Sequence, residues 1–268
     1  MKDAVTEYRK PKLPESLGFR DGISSVHTSR TMMFAELSLL LEQVPPNAKG
    51  NEYLVAVVEQ NVLGKPTQAT RKRSAQRLAE LYSLDRSRAM FRLLRHFWPA
   101  DVSARPMLAL LAAATRDPLL RNCATFVLGI PIGAAVTASQ VADHVQEMYP
   151  ARFKPTTLIS TAQNLASSWA QAGYLAGRLN KKRTRPVVTP VVVTYALLLG
   201  YLCGVRGKML LDTTWTRMLD RTPAEITDLA MDASRQGWLN YKGIGAVVEI
   251  TFPGLLTLKE EQLSHEPD

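Results

Sequence analysis

The sequence predicts a mainly α-helical protein, in which an N-terminal helical bundle is followed by two tandem winged helix-turn-helix-like domains with small β-hairpin wings. Apolar residues recur three or four positions apart through most of the chain, which is typical of amphipathic helices packed on a core. Residues 137–190 also read as helix, turn, long helix and two short strands with a basic connection, and residues 222–253 repeat this order more weakly. This order is typical of winged helix-turn-helix proteins, many of which read DNA.

The length of the chain favours several small domains. At 268 residues it is too long for one compact bundle. Hydrophobic residues make up 46% and charged residues 21%, proportions that indicate a globular protein with a real core. The predicted parts are a flexible arm (1–28), a helical domain with basic helices (29–116), a first winged-helix domain with a basic wing (117–200), a second, acidic winged-helix-like domain (201–256) and a tail (257–268).

Charge is distributed unevenly along the chain. The net charge is +9, which favours an anionic partner. Residues 1–136 carry 19 Lys and Arg against 12 Asp and Glu, and residues 137–200 carry 7 against 2. Residues 201–268 carry 7 against 10, a balance of −3. We therefore expect a polyanion to be held by the first two sections.

The helices before the first winged unit are basic. One helix opens at a Thr67 cap, and another covers about residues 86–98 with four arginines opposite an apolar face. A solvated surface is the ordinary explanation of a single basic helix face, but two such helices beside a basic wing favour DNA binding. The side chains expected to contact DNA here are Lys65, Thr67, Arg71, Lys72, Arg73 and Arg77.

The first winged unit begins at Thr137. Thr137 and Gln140 have the spacing of a capping box and open a helix that ends at Tyr149. A longer helix follows from about Pro155 and stops at Gly173, a residue type that readily takes the left-handed backbone of a helix end. Strands are expected at 174–176 and 186–188, with a basic tip between them. The side chains expected to contact DNA are Ser160, Gln163 and Asn164 on the long helix and Arg178, Lys181, Lys182, Arg183 and Arg185 at the tip.

The second winged unit repeats the first with a different charge. Residues 235–239 (Arg-Gln-Gly-Trp-Leu) match residues 171–175 (Gln-Ala-Gly-Tyr-Leu), and a strand, turn and strand follow through residue 252. Its turn has one cation, Lys242, and its long helix carries acids at Glu225, Asp228 and Asp232. Phosphates would be repelled by such a face. This domain is therefore expected to bind a protein partner. That partner could be a second copy of the chain, in a homodimer formed through the C-terminal domain.

One uncharged segment has the composition of a membrane span. Residues 186–205 lack charge, but Pro190 divides them, because proline belongs at the first turn of a helix. About fifteen helical residues would then span roughly 22 Å, less than the hydrocarbon core of about 30 Å. We expect a wing strand, a buried helix and no membrane association. Cys123 and Cys203 are interpreted as buried free thiols of a cytoplasmic protein.

No pattern in the sequence indicates catalysis. The four histidines are scattered, with no partner at metal-ligand or triad spacing, and the two cysteines lack zinc spacing. No zinc-protease motif, P-loop or nucleophile elbow occurs. We therefore expect a protein that is not an enzyme and that needs no cofactor or metal.

The segment Gln60–Leu78 carries a family resemblance. It combines the end of an apolar helix, an Asn-x-Leu-x-Lys-x-Thr turn over Asn61–Thr67 and a basic helix. This resembles the BrxA family, small and mainly helical proteins of BREX bacteriophage-exclusion operons, over about residues 31–256. The resemblance implies a non-catalytic DNA-binding component that acts with a methyltransferase, an ATPase and other factors against phage. The contacts that it implies are Lys65, Thr67, Arg71, Lys72 and Arg73.

Three functions are open from the sequence. Binding of double-stranded DNA through the first wing and the basic helices is the function that we favour. A scaffold subunit of a multi-protein defence complex is the second, because winged domains often bind proteins and the second copy is acidic. RNA binding is the third, because the BrxA family has been likened to NusB-type antitermination proteins. The base preference is not predicted, since Ser160, Gln163 and Asn164 could read many base steps.

Overall fold

The computed structural model describes residues 13–178, 180–245 and 247–265, and within these the protein is mainly helical. Thirteen α-helices and five short strands follow one another along the described chain. Buried apolar side chains from Leu17 to Phe252 belong to one continuous core. The predicted mainly α class is therefore confirmed, together with small antiparallel sheets.

Five helices form the N-terminal bundle, and the last of them is an apolar central helix. Met107 to Ala114 of that helix are fully buried, because its sequence is apolar on every side. It contacts the first, third and fourth helices. The helices are α1 (Phe34–Gln43), α2 (Gly50–Val58), α3 (Gln68–Tyr82), α4 (Ala89–Phe97) and the central α5 (Arg105–Arg116).

Residues 13–33 pack on this bundle. Leu17, Phe19 and Val26 are buried, and 3-10 turns form at Glu15–Leu17 and Val26–Thr28. The prediction of a flexible arm over residues 1–28 is therefore wrong for residues 13–28, because their apolar side chains complete the core. The rest of the predicted arm, residues 1–12, lies outside the described residues.

The middle of the chain builds a three-stranded antiparallel sheet around a pair of helices. The central strand is Lys181–Arg183, and its Lys182 pairs with Ala135 on one side and with Ala176 on the other, so the strand order is first, third, second in the chain. The predicted strand at 186–188 is not formed, because the strand that pairs with Leu175–Ala176 lies earlier in the chain, at Lys181–Arg183. The elements are α6 (Pro118–Asn122), α7 (Ala124–Gly129), β1 (Ala135–Val136), α8 (Ala138–Met148), α9 (Pro155–Gln171), β2 (Leu175–Ala176) and β3 (Lys181–Arg183).

The C-terminal section is organised around another buried helix. Residues Val191 to Gly200 of that helix are buried, and it contacts α4 and α5 as well as the helices that follow it. No helix in the described ranges is both long and apolar enough to cross a lipid bilayer. The elements are α10 (Pro190–Leu202, the buried helix), α11 (Thr214–Arg217), α12 (Pro223–Arg235), β4 (Asn240–Ile244), β5 (Val247–Thr251) and α13 (Leu258–His265).

Residues 257–265 of the predicted tail are also part of the folded body, and residues 266–268 lie outside the described residues. Within residues 257–265, α13 contacts α10, and Glu260 and Ser264 on its inner side are buried. The guanidinium of Arg92 on α4 forms an ion pair with Glu260 at 2.5 Å. The ion pair and the buried face explain why this segment is an attached helix.

The ends of α9 and α12 share one geometry, as the local sequence match predicts. Gly173 has φ of 89° and Gly237 has φ of 79°. The N–H of Tyr174 donates to the carbonyl of Trp169, and that of Trp238 donates to the carbonyl of Ala233. Both ends are therefore Schellman motifs, which satisfy the last helical carbonyls. The two units differ in their sheets, because β4 and β5 form a two-stranded sheet.

Candidate nucleic-acid interface

The outer face of α9 is exposed and uncharged. Ala162, Leu165 and Trp169 are buried on its inner side. The outer side lies at three- and four-residue spacing from Thr156 through Ile159 to Gln163. These side chains line a shallow open depression together with Pro155 and Ser160. The helix contains neither acidic nor basic residues, so none of its own side chains would repel a phosphate.

The three side chains predicted to read bases differ in their availability. The Asn164 side-chain amide donates to the carbonyl of His27 at 2.9 Å. The Ser160 hydroxyl donates to the carbonyl of Thr157 at 3.0 Å. Gln163 is exposed, and the described chain offers its amide no hydrogen-bond partner. Gln163 is therefore the one of these three side chains whose donor and acceptor groups are all free.

Side chains alternate in direction along β3, as they do in any strand. Lys182 is exposed, whereas Lys181 is half-buried and Arg183 is only 1% exposed. The ammonium of Lys181 donates to the carbonyl of Arg178, whose own side chain is exposed. Arg185 is exposed as well, but it lies 3.4 Å from Glu225. Arg178 and Lys182 are thus the most accessible cations of this hairpin.

Arg183 holds the hairpin to the rest of the protein. Its Nε donates to the carbonyl of Val127 at 2.9 Å, and its Nη2 lies 2.7 Å from a carboxylate oxygen of Asp220. The guanidinium also lies 5.1 Å from the ring centroid of Tyr174 and donates to the carbonyl of Thr184. A buried cation is tolerated when it is paired and hydrogen-bonded in this way. We therefore remove Arg183 from the predicted DNA contacts, because its charge is enclosed and neutralised.

The basic helix α3 also has few free charges. Thr67 acts as the predicted cap, since its hydroxyl accepts the N–H of Thr70 at 3.2 Å. Lys72 and Arg73 are exposed and have no ion-pair or hydrogen-bond partner in the described chain. The other predicted contacts are engaged within the protein: Lys65 with Glu36 at 3.0 Å, Arg77 with Glu80 at 2.7 Å, and Arg71 with the carbonyl of Lys65 at 3.2 Å.

The arginines of α4 are structural, contrary to the predicted basic face. Arg95 is buried and donates to the carbonyls of Leu41 and Val44, both at 2.7 Å. These bonds satisfy carbonyls at the end of α1 that lack helical partners. Burial lowers the pKa of Arg95, and Arg92 is paired with Glu260. Sequence periodicity places these arginines on the side of the helix opposite its apolar residues. In the structure, neighbouring segments cover the arginine-bearing side as well.

A buried hydrogen-bond network joins the N-terminal segment to the start of α6. Asp117 is 1% exposed, and its carboxylate lies 2.9 Å from Nδ1 of His27. It also accepts the hydroxyl of Ser25 at 2.8 Å and the N–H of Val26 at 2.8 Å. Burial alone would raise the pKa of Asp117, but the charge of His27 and the hydrogen bonds outweigh it and lower the pKa from 3.8 to about 2.

The same network continues from His27 to α9. Nε2 of His27 lies 2.9 Å from the hydroxyl oxygen of Ser168. That hydroxyl accepts the N–H of Met32 at 2.8 Å and donates to the carbonyl of Asn164 at 2.9 Å. The turn Val26–Thr28 contacts both α3 and α9, so the network fixes the segment that lies against both helices. Nothing in the sequence indicates it, because His27 and Ser168 are 141 positions apart.

Asp117, His27 and Ser168 are linked in the same order as the acid, base and nucleophile of a catalytic triad, but they are not accessible to a substrate. A nucleophilic serine must reach a substrate carbonyl beside an oxyanion hole. Ser168 and His27 are fully buried, and the Ser168 hydroxyl is engaged with two main-chain groups. We interpret the network as structural. Within the described ranges, no group of three or more His, Cys, Asp or Glu side chains could hold a metal ion.

Comparison with known proteins adds no family to these observations. The chain matches no protein-family model and no curated protein.

Proposed function

We propose that residues 124–185 form a winged helix through which the protein binds double-stranded DNA. The proposal is supported by the order α7, β1, α8, α9, β2, β3 and by the strand order β1-β3-β2. It rests above all on one observation, the exposed and uncharged outer face of α9, followed directly by a hairpin with exposed cations. Such a face can enter the major groove, because an amide such as that of Gln163 can hydrogen-bond to base edges and apolar side chains can contact thymine methyl groups.

In this proposal base reading and phosphate binding fall to different residues. α9 enters the major groove, which is about 12 Å wide and admits one helix. Gln163 presents a free amide to base edges. Arg178 and Lys182 on the hairpin and Lys72 and Arg73 on α3 contact phosphates, which position the protein without reading sequence. Arg183 and the Asp117 network hold the hairpin and α9 in place.

The resemblance to the BrxA family supplies the proposed setting. The protein would be a non-catalytic component of a bacterial BREX phage-defence system that acts beside a methyltransferase and an ATPase. A scaffold function is the second candidate, because α12 exposes Asp228 and carries Glu225 and Asp232 beside it. Such an acidic helix suits a protein partner better than DNA.

Salt-dependent DNA binding of the double variant Lys72→Glu, Arg73→Glu tests the proposal. Fluorescence anisotropy of the unaltered protein should show a loss of affinity on the order of a hundredfold or more between 50 and 200 mM salt. The variant should bind all duplexes more weakly, with a log–log salt slope flatter by about 0.9 for each lost contact. Lys208→Glu with Lys259→Glu is the matched control, because both lysines are exposed and the charge change is the same.

The same titration separates the alternatives. Duplex DNA, single-stranded DNA and RNA are compared side by side at each salt concentration. A preference for RNA would support the antitermination-type RNA-binding function instead of DNA binding. If the protein bound no nucleic acid in low salt, the scaffold function would be the remaining candidate. An equal effect of the control pair would mean that the net charge, and not α3, governs binding.

A further inference from the structure

The outer face of the β4–β5 hairpin is exposed although it carries apolar side chains. Residues two apart in a strand share a face, so Lys242 and Ile244 lie on the same side as their cross-strand partners Glu249 and Val247. Ile244 is 85% exposed, the largest value for a large apolar side chain in the described chain, and Val247 is 73% exposed. Solvent-facing strand positions normally carry polar side chains, so this pair needs an explanation.

The opposite face of the hairpin is anchored. Tyr241 pairs with Ile250, which is buried, and Val248 beside them is half-buried against the core. β5 also contacts the 3-10 segment Gly207–Asp212. The hairpin therefore presents its outer face from a packed base.

The charges on this face form a self-complementary pattern. Lys242 and Glu249 lie opposite each other, 3.7 Å apart, with exposed side chains. The apolar pair Ile244 and Val247 is the next outward-facing pair toward the tip. On this face β4 thus carries a positive side chain and β5 a negative one. Each strand also carries an apolar side chain nearer the tip.

We propose that two copies of this chain associate through this face about a two-fold axis parallel to the hairpin. That axis places β4 of each copy over β5 of the other. Lys242 then faces Glu249 of the second copy, and Ile244 faces Val247, in two equivalent sets. An isologous contact requires such a pattern, in which each group meets its complement twice.

The charge balance favours a second copy over a nucleic acid as the occupant. One lysine and one glutamate give the face no net charge, and residues 201–268 have a balance of −3. Neither attracts a phosphate backbone. The face consists of four outward side chains, far fewer than the roughly 20–30 residues per side of a standard interface, so the association is weak and reversible. It does not depend on DNA binding.

Charge reversal in one copy and its complement in the other tests this contact. Sedimentation velocity over a concentration series should show reversible dimers of the unaltered protein, in the micromolar to millimolar range of weak interfaces. Lys242→Glu and Glu249→Lys should each weaken self-association about tenfold or more, because like charges then meet twice. An equimolar mixture of the two variants should associate as the unaltered protein does, since each lysine again meets a glutamate in the other copy.

The apolar pair provides a second readout. Ile244→Ser should also weaken self-association, whereas Val102→Ser should not, although Val102 is 67% exposed elsewhere on the surface. A protein that stays monomeric at every concentration overturns the proposal, and so does a mixture that fails to restore association. Loss of DNA affinity by Ile244→Ser at concentrations where the protein is monomeric would make the hairpin a DNA wedge and also overturn it.

Discussion

The basic side chains of this protein have two different roles. Arg183 and Arg95 are buried and donate to main-chain carbonyls of other segments. The planar guanidinium suits this task, because its five N–H donors can form hydrogen bonds with several carbonyl oxygens at once. Lys72 and Arg73 keep their charges in water instead. Exposure, more than the density of basic residues along the chain, therefore selects the candidate DNA contacts.

Arg183→Ala should destabilise the protein, whereas Lys182→Ala should weaken DNA binding with little effect on stability. Removing Arg183 leaves the carbonyl of Val127 and the carboxylate of Asp220 without this donor, and breaking such a buried pair costs about 3 kcal/mol or more. Lys182→Ala should change stability by less than about 0.5 kcal/mol, because its side chain is exposed. It should nevertheless weaken duplex binding. Urea unfolding and anisotropy measure both, and equal stability losses would contradict this assignment of roles.

Asp117 should contribute an acid-dependent part of the stability. Its pKa is lowered from 3.8 to about 2 in the folded protein, so the unfolded chain takes up a proton first as pH falls. The stabilisation is complete above pH 3.8 and is lost as pH falls toward 2. It amounts to a difference on the order of 2 kcal/mol. The gap in unfolding free energy between the unaltered protein and Asp117→Asn should therefore narrow over this range, and a constant gap would contradict it.

At the scale of elements, the short β2–β3 hairpin depends on its turn. Gly177 has φ of 105°, and a Cβ there would lie 2.4 Å from the carbonyl oxygen of Asn180. Glycine is the residue that meets both conditions. The early turn places Lys181, Lys182 and Arg183 in a strand, where alternation sends Lys182 outward and Arg183 inward.

Gly177→Ala should therefore disturb the hairpin more than a comparable glycine substitution. Gly237→Ala is the control, because Gly237 has φ of 79° with nothing within 4 Å of the added Cβ. The control should cost about 1 kcal/mol or slightly more from left-handed backbone strain alone. Gly177→Ala should cost more and weaken duplex binding by displacing Lys182. Thermal unfolding measures the stability of both variants, and fluorescence anisotropy measures their affinity for duplex DNA. Equal stability losses with unchanged DNA affinity would contradict this prediction.

At the scale of the whole molecule, charge is distributed unevenly over one shared core. The proposed DNA contacts lie on α3, α9 and the β2–β3 hairpin, and the proposed self-association face lies on β4–β5 in the acidic section. α10 connects the N-terminal bundle to the C-terminal section, since it contacts α4 and α5 as well as α12 and α13. Removing the C-terminal section would expose its apolar surface, so charge reversal on the intact chain is the cleaner experiment.

The amino-acid sequence alone was sufficient to place several helix starts and stops. Capping boxes form at Thr137 and Thr222, and α9 and α12 end at the predicted glycines. These features are local, because a cap or a stop is decided by groups within about six residues. The tertiary structure alone decided which cations are free, how residues 13–28 pack and that His27 meets both Asp117 and Ser168. Burial and pairing depend on groups far apart in the chain, and residue spacing carries no record of them.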